Sequence, residues 1–129
     1  MRRREAIRSE IKCLDDKIEE YNGKIYKLEE HYKIIKMNYD KIVRDVYEPE
    51  KACDLTPFRM CGEEEYRQAE VYRKRVIDEL DKSLGDTLRF LSSIQDAIKN
   101  ISGLIKECEI KKRVLEAELD NFLPMKYRS

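Results

Sequence analysis

A hydrophobic repeat of seven residues runs through the first part of this chain and limits its fold more than any other feature. The repeat has two interleaved sets, separated by steps of four and three: Ile11, Ile18, Ile25, Tyr32, Tyr39 and Val46 in the first, and Ile7, Leu14, Tyr21, Leu28, Ile35 and Ile42 in the second. Such spacing lines one face of an α-helix and is typical of coiled coils. We predict a helix over residues 4–47 whose hydrophobic seam, formed by these two sets, packs against another helix.

The segment after this helix has no sustained period and contains Pro49 and Pro57. A proline disfavours helical geometry in the residue before it, so we expect the first helix to end by Glu48. Gly62 is followed by three consecutive glutamates, which suit the positive end of a helix dipole. We therefore predict a connector over residues 48–62 and a second helix that begins at residue 63.

The heptad repeat resumes in the second helix. Its two sets are Ile77, Leu84, Leu91, Ile98, Ile105 and Leu119, and Leu80, Ile94, Ile101, Cys108, Leu115 and Phe122. Thr87 and Lys112 are polar interruptions, and a change of phase near Val76 indicates a stutter. We predict a helix over residues 63–122, a short tail over 123–129, and an all-α fold: one domain, a long antiparallel two-helix hairpin whose second helix is longer than the first.

Two glycines of the second helix, Gly85 and Gly103, lie away from its seam. We predict that they are surface positions, and a bend of the helix at either one is the alternative. Cys53 and Cys61 bracket the connector, and we expect reduced thiols unless the protein reaches an oxidising compartment, where the two could form a disulfide.

The charge balance argues against binding to nucleic acid, because 27 basic residues are matched by 27 acidic residues. No stretch is apolar enough to insert into a membrane, and no signal peptide is recognisable, so we expect a cytoplasmic protein. Catalytic, metal and cofactor sites are not predicted. The single histidine, His31, lies on a polar flank of the first helix, and no glycine-rich phosphate loop precedes a helix. We expect a protein that is not an enzyme.

The second helix has an apolar surface too wide for one facing helix. Beside its seam lie Val76, Phe90, Ala97 and Leu104 on one flank and Leu88 on the other. We predict that these five residues bind a further helix, supplied either by a second copy of this chain or by another protein. The alternative is that they are scattered surface residues.

The predicted hairpin tip lies in the connector and comprises the apolar residues Phe58 and Met60, followed by Gly62. The first two, together with Leu55, could cap the hairpin by packing on Val46 and Tyr66, or could present a docking surface.

Two long helices with an apolar residue, one spacer and a glycine at the tip, here Met60, Cys61 and Gly62, resemble the WXG-type helical proteins of the bacterial type VII secretion system. The chain is more similar to the long hairpin proteins that accompany LXG-domain toxins. It has no tryptophan at the tip, where that family has one. The resemblance implies a partner that binds the helical N-terminal domain of a toxin, alone or together with a second small helical protein, and that assists the targeting or export of the toxin.

Two other classes of function stay open. A coiled-coil adaptor, homodimeric scaffold or holding chaperone would use the same helices, although the connector lacks the alternating strand pattern of prefoldins. A regulator of an enzyme or polymerase, or a nucleic-acid binder, is the third class, and the balanced charge gives it little support.

Overall fold

The computed structural model describes residues 3–121, and within this range the chain is all-α, which confirms the predicted fold class. The elements in order are α1 (Arg4–Ile42), a π-helix (Val43–Tyr47), α2 (Glu48–Ala52), a 3₁₀-helix (Thr56–Cys61) and α3 (Glu63–Asp120). Phe122 and the predicted tail over 123–129 lie outside the described residues.

The first helix does not stop before Pro49 as predicted. A π-helix follows α1 and leads directly into α2, whose first turn contains Pro49. In the π-helix each turn holds one extra residue, and the Glu48 amide donates to the carbonyl of Val43, five residues earlier. The proline ring would clash with the carbonyl four residues before it in a regular α-helix. The wider turn at this point is the physical reason why the chain stays helical through Pro49.

The π-helix also moves the buried stripe by one residue. Ile42 and Val46, which the heptad places in the seam, are exposed. Val43 and Tyr47, each one residue later in the chain, are half-buried instead. An extra residue in one turn shifts every later side chain around the helix, so the predicted seam of the first helix is correct up to Tyr39 and wrong at its last two members.

Gly62 separates the 3₁₀-helix from α3 and has a backbone that only glycine adopts readily, with φ of 126° and ψ of 158°. A Cβ atom there would also collide with the side chain of Glu65. The helix α3 begins at Glu63, as predicted, and continues through Gly85 and Gly103 without interruption. The last described helical residue is Asp120, against a predicted end at residue 122.

The chain divides into two compact units. Among the described residues, the terminal unit comprises two segments, 3–30 and 95–121. The first lies almost entirely in α1 and the second almost entirely in α3. The central unit is His31–Ile94. In the terminal unit the buried apolar side chains are Ile7, Cys108 and Leu115, and in the central unit they are Leu84, Leu91 and Ile94. All of them are members of the predicted seams. The heptad positions therefore identify the core of each unit correctly.

Candidate partner-binding surface

The predicted partner-binding residues lie on α3, and the structure leaves the larger ones in contact with solvent. Phe90 is 55% exposed and Leu104 is 41% exposed, and Leu88 is exposed as well. Val76 and Ala97 are half-buried. Leu88 and Phe90 in the central unit and Leu104 in the terminal unit are thus the exposed members of the predicted flanks, and we treat them as candidate binding residues of their units.

In the central unit, Phe90 and Leu88 occur on the stretch of α3 that also supplies the buried Leu84 and Leu91. The seam side of α3 is thus buried in the unit, whereas Leu88 and Phe90, one on each flank of the seam, are exposed to solvent. Thr87, the polar interruption of this seam, is half-buried and its hydroxyl donates to the Ser83 carbonyl at 3.0 Å. This bond satisfies the hydroxyl within the helix itself, so Thr87 needs no partner from another element.

A hydrogen bond between elements sets the position of the π-helix on α3. The Tyr47 hydroxyl donates to Asp81 Oδ1 at 2.5 Å. This hydrogen bond raises the pKa of Tyr47, because the carboxylate favours the protonated phenol. Tyr47 can make this bond because the extra residue of the π-helix turns it toward α3.

The connector contacts α3 through Arg73 and through Arg59, whose guanidinium lies over the ring of Tyr66 at 4.5 Å from its centroid. The guanidinium of Arg73 donates to the carbonyl of Cys53 and, at 3.2 Å, to the carbonyl of Lys51. These bonds satisfy acceptors at the end of α2 that its short helix leaves unpaired. They also bring Cys53 beside a cavity of about 570 Å³ that Phe58, Cys61 and Tyr72 help to line.

The predicted tip residues lie where the sequence places them, between α2 and α3. Met60 is 92% exposed and Phe58 is also exposed, whereas Leu55 is half-buried. The expectation that the tip residues cap the end by packing is therefore wrong for Met60. The thiols of Cys53 and Cys61 are free and exposed.

The terminal unit contains an apolar groove that the predicted flanks do not include. It has a volume of about 420 Å³ and is lined by Glu10, Cys13, Leu14 and Lys17 of α1 and Ile110, Lys111, Val114 and Leu115 of α3; we call it the terminal groove. Ile110 and Val114 are 58% and 61% exposed. They are four residues apart on α3, so they lie on the same face of the helix, and this spacing is the feature of the sequence that could have identified them.

The opposite side of the same unit is polar. Lys112 Nζ lies 2.7 Å from Asp15 Oδ1 and 3.8 Å from Glu116 Oε1. The hydrogen bond to Asp15 raises the pKa of Lys112. This lysine interrupts the predicted seam, and its ion pair joins α3 to α1.

Further exposed apolar residues occur on α1 of the central unit, namely Ile34 and Met37. They are three residues apart and share a helix face that lies outside the seam. Among residues 3–121, no cluster of side chains is suited to hold a metal ion, and no helix has the length and hydropathy that crossing a membrane requires.

Comparisons with known proteins give no counterpart: the chain matches no protein-family model, no curated protein and no solved structure.

Proposed function

We propose that this protein is a non-enzymatic helical binding partner, which uses the exposed apolar flank of α3 to bind a helix of another protein. The exposure of Phe90 and Leu104 carries this proposal. Phe90 and Leu104 are already about half covered by their own chain, so burying the rest of either side chain against a partner would contribute roughly 1 kcal/mol. Phe90 and Leu104 are two heptads apart on α3. An amphipathic helix binds through apolar side chains at such spacing.

We further propose that the pairing of α1 and α3 in the two units belongs to one long antiparallel coiled-coil hairpin. Contacts within the central unit support the antiparallel direction. Tyr47 bonds Asp81, and Cys53, which follows Tyr47 in the chain, bonds Arg73, which precedes Asp81. The chain order of the partners is thus reversed, as in an antiparallel pair. Both α1 and α3 contribute residues to both units as continuous helices. A long hairpin of this type offers an extended helix surface to its partner.

The absence of catalysis is part of the same proposal. His31, the single histidine of the chain, is exposed on α1. A general base needs a neighbour that orients it and a site that excludes water, and an exposed position on a long helix offers neither.

The resemblance to type VII secretion proteins suggests a specific partner. We propose the helical N-terminal domain of an LXG-type toxin, which this protein would bind in the cytoplasm and accompany to the secretion machinery. The exposed Phe58 and Met60 beside Gly62, in the place of the family's tip motif, support this more specific proposal. A second copy of the chain on the α3 flank is the alternative, and it would make the protein a homodimeric adaptor or scaffold.

Affinity capture from the cells that make the protein tests this function. Wild type should recover a protein with a helical domain, whereas the variant Phe90→Asp/Leu104→Asp should lose it. Ser92→Asp/Ala117→Asp is the matched control, since it adds the same charge at exposed α3 positions outside the predicted flanks. Sedimentation of the purified chain distinguishes a self-dimer. Equal recovery by both double variants would contradict the proposal.

A further inference from the structure

The terminal groove differs from the other side of its unit in a way that indicates its occupant. On the polar side, the charge of Lys112 is neutralised by Asp15 and Glu116. In the groove, Leu14 and Leu115 form part of an apolar floor, and the exposed Ile110 and Val114 extend it. One side of the unit is therefore polar, with one ion pair that joins the two helices, and the other side presents hydrocarbon to solvent.

Two lysines stand on the walls of this groove, one from each helix: Lys17 from α1 and Lys111 from α3. Neither forms an ion pair with any residue in the range 3–121. Glu10 also lines the groove and has an interaction of its own. The groove thus has an apolar floor with a free ammonium group on each side, and charge complementarity calls for an occupant with apolar anchors flanked by carboxylates.

We propose that the terminal groove binds an amphipathic helix of a partner protein that carries acidic side chains on both edges of its apolar stripe. Such a helix would seat aliphatic side chains, spaced three and four residues apart, on Ile110, Val114 and Leu14. Its glutamates or aspartates would reach Lys17 and Lys111. This inference rests on the proposed function and adds the charge that the bound helix must carry and a second place where it docks.

Cys13 provides a reporter inside the groove, because its thiol is exposed and lines it, whereas Cys108 is buried. In the full chain with Cys53→Ser and Cys61→Ser, the rate at which a thiol reagent labels Cys13 reports whether the groove is covered. The probe is a synthetic 18-residue helical peptide with leucines at helical spacing and glutamates flanking them. A matched peptide with lysines in place of the glutamates is the control.

The glutamate peptide should slow the labelling of Cys13, and the lysine peptide should not. Lys17→Glu/Lys111→Glu should reverse this preference, with each lost charge contact weakening the glutamate peptide by about fivefold. Circular dichroism checks that the variants remain helical. Equal protection by both peptides, or none by either, would overturn the proposal, as would protection of Cys13 by self-association alone.

Failure of this inference can be told apart from failure of the proposed function. If a captured partner depends on Phe90 and Leu104 but is unaffected by Lys17→Glu/Lys111→Glu, the function stands and the groove is not a docking site. If no partner is captured but the glutamate peptide protects Cys13, the groove stands as a site and the flank proposal fails.

Discussion

The ammonium group of Lys112 lies 2.7 Å from the Asp15 carboxylate, so the one charged residue in the predicted seam of α3 is used to join α3 to α1. A lysine at a seam position ordinarily weakens a coiled coil, because its charge has to stay hydrated or find a partner. Here Asp15 supplies that partner from the polar side of the terminal unit.

Replacing this lysine with leucine should stabilise the chain, because leucine restores the apolar heptad. We expect Lys112→Leu to raise the thermal midpoint by about 3 °C and Asp15→Asn to lower it slightly. The pKa of Lys112 is raised from 10.5 by its bond to Asp15, so the contribution of the pair is present below pH 10.5 and is lost as pH rises through the folded-state value. Thermal unfolding of wild type, Lys112→Leu and Asp15→Asn at neutral pH, and of wild type and Asp15→Asn also at alkaline pH, measures these effects. A wild-type advantage that persists unchanged at alkaline pH would contradict them.

Gly62 should be the glycine least tolerant of substitution. Gly62→Ala places a Cβ at a positive φ and against Glu65, and we expect it to lower the free energy of unfolding by about 1–3 kcal/mol. Gly103→Ala is the control, because it lies within α3 with open space around it and should raise that free energy by about 0.5–1 kcal/mol. Urea titration followed by circular dichroism gives both values. Similar changes in the two variants would show that the backbone of Gly62 is not a constraint.

Deleting one residue in the π-helix should be tolerated. Deletion of Arg44 converts the wide turn into an α-turn and lets Tyr47 keep its phase toward Asp81, so we expect a change in thermal midpoint within about 3 °C. Deletion of Lys27, in the uninterrupted heptad of α1, should lower the midpoint by more than about 10 °C because every later seam residue rotates away. Equal losses in the two deletions would contradict the assignment of the extra residue to the π-helix.

The turn that begins the 3₁₀-helix should open at low pH. Asp54 Oδ1 accepts a hydrogen bond from the Thr56 amide at 2.9 Å, and hydrogen bonding by Thr56 lowers the pKa of Asp54 from 3.8. The stabilisation is therefore present above pH 3.8 and is lost as pH falls through the lower folded-state value. Hydrogen exchange should show the protection factor of the Thr56 amide falling at acid pH, and falling about fivefold at neutral pH in Asp54→Ala. Asp54→Asn, which keeps an acceptor oxygen, should retain most of that neutral-pH protection.

The sequence predicts the core well where the heptad is regular. Leu84, Leu91 and Leu115 are buried as expected, because each seam position is fixed by its distance from the previous one along a uniform helix. The prediction fails at Ile42 and Val46, since a single wide turn changes the phase and nothing in the residue pattern before Pro49 requires that turn. The proline itself was the signal, but it predicted an end to the helix and not a π-helix.

The candidate site was predicted in part for a similar reason. Phe90 and Leu104 lie beside the seam, so the width of the apolar stripe identifies them. Ile110 and Val114 lie farther around α3. They form a groove only together with Cys13 and Leu14 of α1. A groove made by two helices depends on tertiary pairing, which one helix's pattern does not contain.

We propose that Phe90 and Leu104 are covered by a helix of another protein. A photoreactive phenylalanine analogue at position 104, with the same analogue at position 117 as control, tests this most directly when the protein is irradiated in the cells that make it. We predict that position 104 forms an adduct with a helical segment of a different protein and that position 117 does not. Equal labelling at both positions, or no adduct at position 104 except with a second copy of the chain, would contradict the claim.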